Sequence, residues 1–298
     1  MLLDNSTFPS HAELNKERKV IGRKIKETKR GKHFYANQSD FSKVNLDLPE
    51  KYRNQILCGD SEKLLEQLPN NCVDLVFTSP PYNFGLDYKD GDDSENWHLY
   101  FEKLFRILDE CVRVLKYGGR LIVNVQPLFS DYIPSHHIIS KHMIDKGMIW
   151  KGEILWEKNN YNCKYTAWGS WKSPSSPYMK YTWEFVEVFC KGTLKINGNS
   201  SDADISGDEF KKWVYAKWSI APERNMKVFD HPAMFPEELA RRILLLFSFQ
   251  GNVVLDPFAG VGTTCLVAKK NSRVYLGIDN SQQYCDTAMK RLDEILFM

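Results

Sequence analysis

The chain has 298 residues, 43% hydrophobic and 26% charged, a soluble, globular balance with room for one large domain or two small ones. No apolar stretch approaches a membrane span, the first twenty residues lack the apolar core of a secretory signal, and 40 Lys+Arg against 38 Asp+Glu does not by itself indicate nucleic acid. The seven cysteines are scattered without a CxxC pair, so neither a zinc site nor a disulfide framework is expected, and an intracellular, cytoplasmic protein is.

Residues 16–34 are a basic run opposed only by Glu17 and Glu27; Arg23, Lys24 and their neighbours either supply phosphate contacts or form a solvated helix or disordered tail. NQILCGD (54–60) reads as a strand, and SEKLLEQL (61–68) as a short helix capped by Ser61. VDLVFTS (73–79) is a second strand. From Trp97 to Leu115 apolar residues keep helical spacing, YGG (117–119) stops that helix, and RLIVNV (120–125) is a buried strand. A helix over 131–146 carries adjacent His136 and His137, which lack a third ligand nearby and read as ordinary helix residues. Strands over 148–157 and 183–192 follow. Residues 193–213 are polar and rich in Gly, Ser and Asp, and read as an insertion outside the core sheet. A helix over 235–248, strands over 252–258 and 273–279 with a helix between them from Thr263, and a final helix over 281–296 complete the chain. Alternating strands and helices imply an α/β, doubly wound, mostly parallel sheet of seven strands, whose ligands bind beyond the strands' carboxyl ends.

Two stretches at such ends carry chemistry. In TSPPYN (78–83) the prolines end the ladder and stiffen an extended elbow that offers carbonyls beside an aromatic ring. In LDPFAGVGTT (255–264) Gly260 and Gly262 let the backbone turn and approach a ligand, with Phe258 in the same loop. The next helix N-terminus, with the hydroxyls of Thr263 and Thr264, suits a carboxylate or phosphate. Asp279, 19 residues beyond Gly260, suits ribose hydroxyls. The third glycine of a dinucleotide loop is missing, and Asp256 would repel a pyrophosphate. A nucleoside bearing an amino acid fits better, its ammonium facing Asp256; S-adenosylmethionine is such a molecule. Asp60 either holds that cofactor's adenine amino group or caps the helix after it.

With TSPPYN, DPFAGVGTT, the opening block 57–83, HPAMFPEELARRI (231–243) and GID (277–279), the chain resembles the amino-group DNA methyltransferases. The catalytic block precedes the cofactor block, the permuted order of that family's β group. The resemblance implies a Rossmann-like methyltransferase sheet with a small target-recognition insertion. It implies a basic arm over 1–48, a catalytic part over 49–192, the insertion over 193–228 and a cofactor part over 229–298. It further implies S-adenosylmethionine as cofactor, S-adenosylhomocysteine as product, no metal, and double-stranded DNA as substrate. Ser79 and the Pro80 carbonyl would hold the two N–H groups of an exocyclic amine, Pro81 would stiffen the peptide, and the face of Tyr82, not its hydroxyl, would stack on a flipped base. Ser79 in place of the Asp usual in adenine enzymes, with GSWKSPSSP (169–177), favours N4 of cytosine over N6 of adenine. Lys211, Lys212 and Lys217, interleaved with aromatics, suit DNA contact. A restriction endonuclease acting separately is a natural partner for such an enzyme. The reading of another class is a catalytically inactive DNA-binding subunit, against which the intact Ser79, Tyr82, Gly260 and Asp279 argue.

Overall fold

Eight strands join in one sheet: β1 (Gln55–Cys58), β2 (Val73–Thr78), β3 (Leu115–Val125), β4 (Ile149–Glu157), β5 (Trp183–Cys190), β6 (Lys217–Ser219), β7 (Val253–Asp256) and β8 (Val274–Asp279), in the order β1-β8-β7-β2-β3-β5-β4-β6. The computed structural model describes residues 41–294 and Ile25, apart from 83–86, 89–90, 93–95, 128–131, 160–178, 180, 225, 227–228, 230 and 232. The basic run with Arg23 and Lys24, Asn83, and GSWKSPSSP therefore lie outside the described residues. Neighbours from β1 through β3 pair in parallel, β5 runs antiparallel to both β3 and β4, and β6 is parallel to β4.

Burial on both faces explains the near-continuous apolar runs of the central strands; in β2 every residue but Asp74 is buried. On one face α1 (Ser61–Leu65), α2 (Trp97–Val114) and α3 (Ser135–Asp145) cover an apolar cluster that includes Leu65, Leu108, Val123 and Met143. On the other, α5 (Glu237–Phe247) and α6 (Thr263–Lys270), with α4 (Gly207–Trp213) packed on α5, cover an apolar cluster that includes Leu75, Ile122, Val254 and Ile243. The last helix, α7 (Gln282–Glu294), packs against α6, β1 and β8.

Three sequence expectations change. The sheet has eight strands, because β6 comes from the segment expected outside it: Trp213 and Trp218 are buried in the core, and the Trp218 indole N–H donates to the Trp213 carbonyl at 2.9 Å. The cap of α1 is Asp60, whose Oδ1 accepts from the backbone N–H of Glu62 at 3.0 Å; Ser61 is helical and donates to the Pro257 carbonyl at 2.6 Å. Residues 117–119 do not end α2, since the chain turns straight from Val114 into β3, and both glycines lie within that strand beside a register shift against β2.

Candidate active site

Since β2, β7, β8 and β1 are parallel neighbours, their carboxyl ends lie along one edge of the sheet, where a cavity of about 560 Å³ opens. Ser79, Pro80, Pro81 and Tyr82 line it, as do Asp60, Phe258, Gly260, Thr263 and Asp279. Ser79 Oγ donates to the backbone carbonyl of Asn124, on the adjacent β3, at 3.1 Å, and accepts from Asn124 Nδ2 at 3.3 Å. Its proton is thus committed to protein, and its remaining lone pair is the one available to a ligand. The Pro81 carbonyl accepts from the Tyr100 hydroxyl at 2.6 Å, which pins the elbow to the first turn of α2. Among the described residues no donor reaches the Pro80 carbonyl. The Tyr82 hydroxyl donates to Glu184 Oε1 at 3.0 Å, a contact that the sequence reading, which used only the ring face, did not foresee.

Asp279 ends β8, and Asp60 lies just beyond the neighbouring β1, at the cap of α1. Asp279 Oδ2 accepts from Gly260 N–H at 2.8 Å and Oδ1 from Ser281 N–H at 2.9 Å, which shapes the glycine loop. Gly260 has φ of +50°, and a Cβ there would sit 2.7 Å from His231 Nε2. His231, which sequence reasoning passed over inside HPAMFPEELARRI, lines the cavity against Tyr284; burial pushes its pKa down to about 4, so the ring is neutral at pH 7.

Asp256, Gly262 and Thr264 do not line the cavity. Asp256 is fully enclosed: Oδ1 accepts from the Thr78 hydroxyl at 2.7 Å and from Phe258 N–H at 3.1 Å, and Oδ2 from the Thr264 hydroxyl at 2.7 Å. An ammonium facing Asp256 is therefore ruled out by burial and by these three donors. Gly262, with φ of +77°, caps α6 where a Cβ would meet Ala288 at 2.8 Å. Burial raises the Asp256 pKa to about 6, against the opposing hydrogen bonds from Thr264 and Thr78.

Asn124, Glu184 and Lys158 also line the cavity and were not singled out from the sequence. For Asn124 and Glu184 a signal was present, since RLIVNV and WEFVEVFC carry polar residues inside apolar strands; for Lys158 there was none. Lys211 and Lys217 are exposed and ion-paired with Asp208 and Glu157, at 3.4 Å and 3.3 Å, and Lys212 is exposed. None of these lysines lines the cavity, but β6 runs parallel to the end of β4, so the chain after it delivers Pro222 and Met226 to the cavity wall. Among the described residues no three potential ligands gather around a metal position, and no helix is long and apolar enough to cross a membrane.

Residues 73–290 match a family model of N6/N4 type described as DNA methylase. The type II methyltransferase M.HpaI of Haemophilus parainfluenzae is 30% identical over 245 residues, covering 80% of this chain and 74% of that protein. The DNA adenine methyltransferase YhdJ of Escherichia coli is 26% identical, covering 82% and 85%. Among solved structures, TTHA0409 of Thermus thermophilus, provisionally assigned as a DNA modification methylase and complexed with S-adenosyl-L-methionine, superposes with a TM-score of 0.65 at 26% identity, covering 80% and 93%. The cytosine-N4-specific PvuII DNA methyltransferase shares the fold, with a TM-score of 0.59 at 20% identity, covering 79% and 85%.

Proposed function

The chain belongs to the N6/N4 DNA methylase family, and from that premise we propose that it transfers a methyl group from S-adenosylmethionine to N4 of a cytosine flipped out of double-stranded DNA. The residues fit the cofactor: Asp279 ends β8 beside a glycine loop into which no Cβ would fit, and Asp60 follows the adjacent β1 and lines the same cavity. Asp279 would take the ribose hydroxyls, Asp60 Oδ2 the adenine amino group, and Thr263 at the start of α6 the carboxylate. When bound, the cofactor supplies an electrophilic methyl group.

The protein's own task is to make a poor nucleophile attack. An exocyclic amine delocalises its lone pair into the ring, and two acceptors that hold its hydrogens draw the nitrogen towards tetrahedral geometry. Ser79 Oγ, its own proton engaged by the Asn124 carbonyl, is one acceptor, and the Pro80 carbonyl is the other. Tyr82 stacks on the extruded base, which compensates lost stacking by about 1–3 kcal/mol. The observation that carries this reading is the committed proton of Ser79 in the same cavity as Asp279.

Ser79, which is uncharged, favours cytosine, whereas the likeness to YhdJ supports a second reading, N6 of adenine. Lys211, Lys212 and Lys217 would meet DNA phosphates on the way to the cavity mouth, with the 193–228 segment reading sequence. A DNA substrate puts the enzyme in the cytoplasm, and the type II names of its relatives suggest a separate cognate restriction endonuclease. Incubation of unmodified, high-complexity DNA with labelled S-adenosylmethionine, followed by nucleoside mass spectrometry, tests the reading. N4-methylcytosine is expected, and Ser79→Ala should abolish most of it while cofactor affinity stays. N6-methyladenine would reject the base assignment and keep the mechanism; neither product would reject the activity.

A further inference from the structure

We propose that Glu184 is a positioning residue for the catalytic elbow: a single buried carboxylate holds both the Ser79 acceptor and the Tyr82 ring in place. This rests on the methyltransferase reading above. Glu184 is the second residue of β5 and only 2% exposed. Its Oε1 accepts from the Tyr82 hydroxyl at 3.0 Å and pairs with Lys158 Nζ; its Oε2 accepts from Asn124 Nδ2. Asn124 Nδ2 in turn donates to Ser79 Oγ at 3.3 Å. Both working residues of the elbow therefore lean on this side chain, one directly and one through a single amide.

A carboxylate only accepts, so every group around it must present a donor. For Asn124 this fixes which way the amide faces: Nδ2 towards Glu184 and Ser79, leaving Oδ1 buried without a partner. An amide free to turn would not leave its oxygen orphaned. Turned the other way, Asn124 would put an acceptor beside Ser79 Oγ and compete for the proton that now goes to the Asn124 carbonyl. The carboxylate thus keeps Ser79 oriented as an acceptor. Lys158 balances the buried charge, and it too lines the cavity.

Glutamine has the same shape and would pack equally well, but offers one acceptor where the site needs two. Glu184→Gln should therefore lower kcat about 10- to 150-fold on unmodified, high-complexity duplex DNA, the usual cost of losing a charged hydrogen-bond partner. KM for S-adenosylmethionine, calorimetric affinity for S-adenosylhomocysteine and the melting temperature should stay near wild type. Tyr82→Phe alone should lower kcat several-fold, and the two substitutions together should cost less than the product of their separate effects, because both weaken the same side-chain contact. If Glu184→Gln fails to fold, Glu184→Gln with Lys158→Gln removes both charges and is read in the same way. A folded variant with wild-type kcat, or strictly additive effects of the two substitutions, overturns the positioning role alone. A wild-type protein that binds S-adenosylhomocysteine but methylates no DNA overturns the methyltransferase reading and this role with it.

Discussion

At the residue scale the cavity carries opposite demands on its two loops. The elbow needs an acceptor lone pair left open beside the one that Asn124 holds, whereas the cofactor loop needs its backbone donors gathered. Asp279 does the gathering, taking Gly260 N–H and Ser281 N–H on separate oxygens. An amide in its place keeps one acceptor and sets an NH₂ group against one of those N–H groups. Asp279→Asn should weaken S-adenosylhomocysteine binding by about 1.5–3 kcal/mol, or roughly 10- to 150-fold, with the fold retained. Calorimetry that returns the wild-type affinity would remove Asp279 from the cofactor site.

At the scale of elements, one carboxylate joins the two halves of the site. Asp256 ends β7, takes the hydroxyl of Thr78 at the end of β2, and takes the hydroxyl of Thr264 in the first turn of α6. Thr78 immediately precedes Ser79, so the separation of elbow and cofactor loop depends on this strut. Burial raises its pKa from the ordinary 3.8 to about 6. The folded protein therefore holds this proton more tightly than the unfolded chain does. The proton-linked stability is fully present below pH 3.8 and is lost as pH rises through about 6. Wild type should gain on the order of 2–3 kcal/mol relative to Asp256→Asn as pH falls from 7 to 4, read from melting curves of the two proteins. A difference that does not change with pH would show that Asp256 titrates normally. Once protonated, Asp256 can no longer accept from both threonines on equal terms, so the same strut couples acid to the geometry of the elbow.

At the scale of the whole molecule, the segment between the catalytic and cofactor blocks is stitched to both. It contributes β6 beside β4, buries Trp213 and Trp218, and sends Asp204 to a two-pronged pair with Arg273, just before β8. The Arg273 side chain is wholly enclosed and also donates to the Ser248 and Asn271 carbonyls. Removing Asp204 leaves a buried guanidinium without its counter-charge. Asp204→Ala should lower stability by an amount on the order of 3 kcal/mol, measured by denaturant unfolding. A change within 0.5 kcal/mol, as for ordinary surface substitutions (about ±0.5), would mean the pair is not part of the frame. Exchange of residues 193–213 as a block would accordingly disturb the fold as well as any contact with DNA, so Lys211, Lys212 and Lys217 are better examined one at a time.

The sequence by itself determined the α/β class, nearly every strand and helix, and the two loops that form the cavity. Those features depend on periods of two and 3.6 residues and on short motifs, all set by near neighbours in the chain. Only the tertiary structure decided what each polar side chain meets. Thr78 and Asp256 are 178 residues apart, Tyr82 and Glu184 are 102, and Asn124 and Glu184 are 60. No local pattern records such meetings, which is why Asp256 read as a ligand for an ammonium and Glu184 passed as one more residue of a strand. The eighth strand escaped notice for a related reason: three residues are too few to show a period, and β6 is a strand because Leu155, Trp156 and Glu157 lie alongside it.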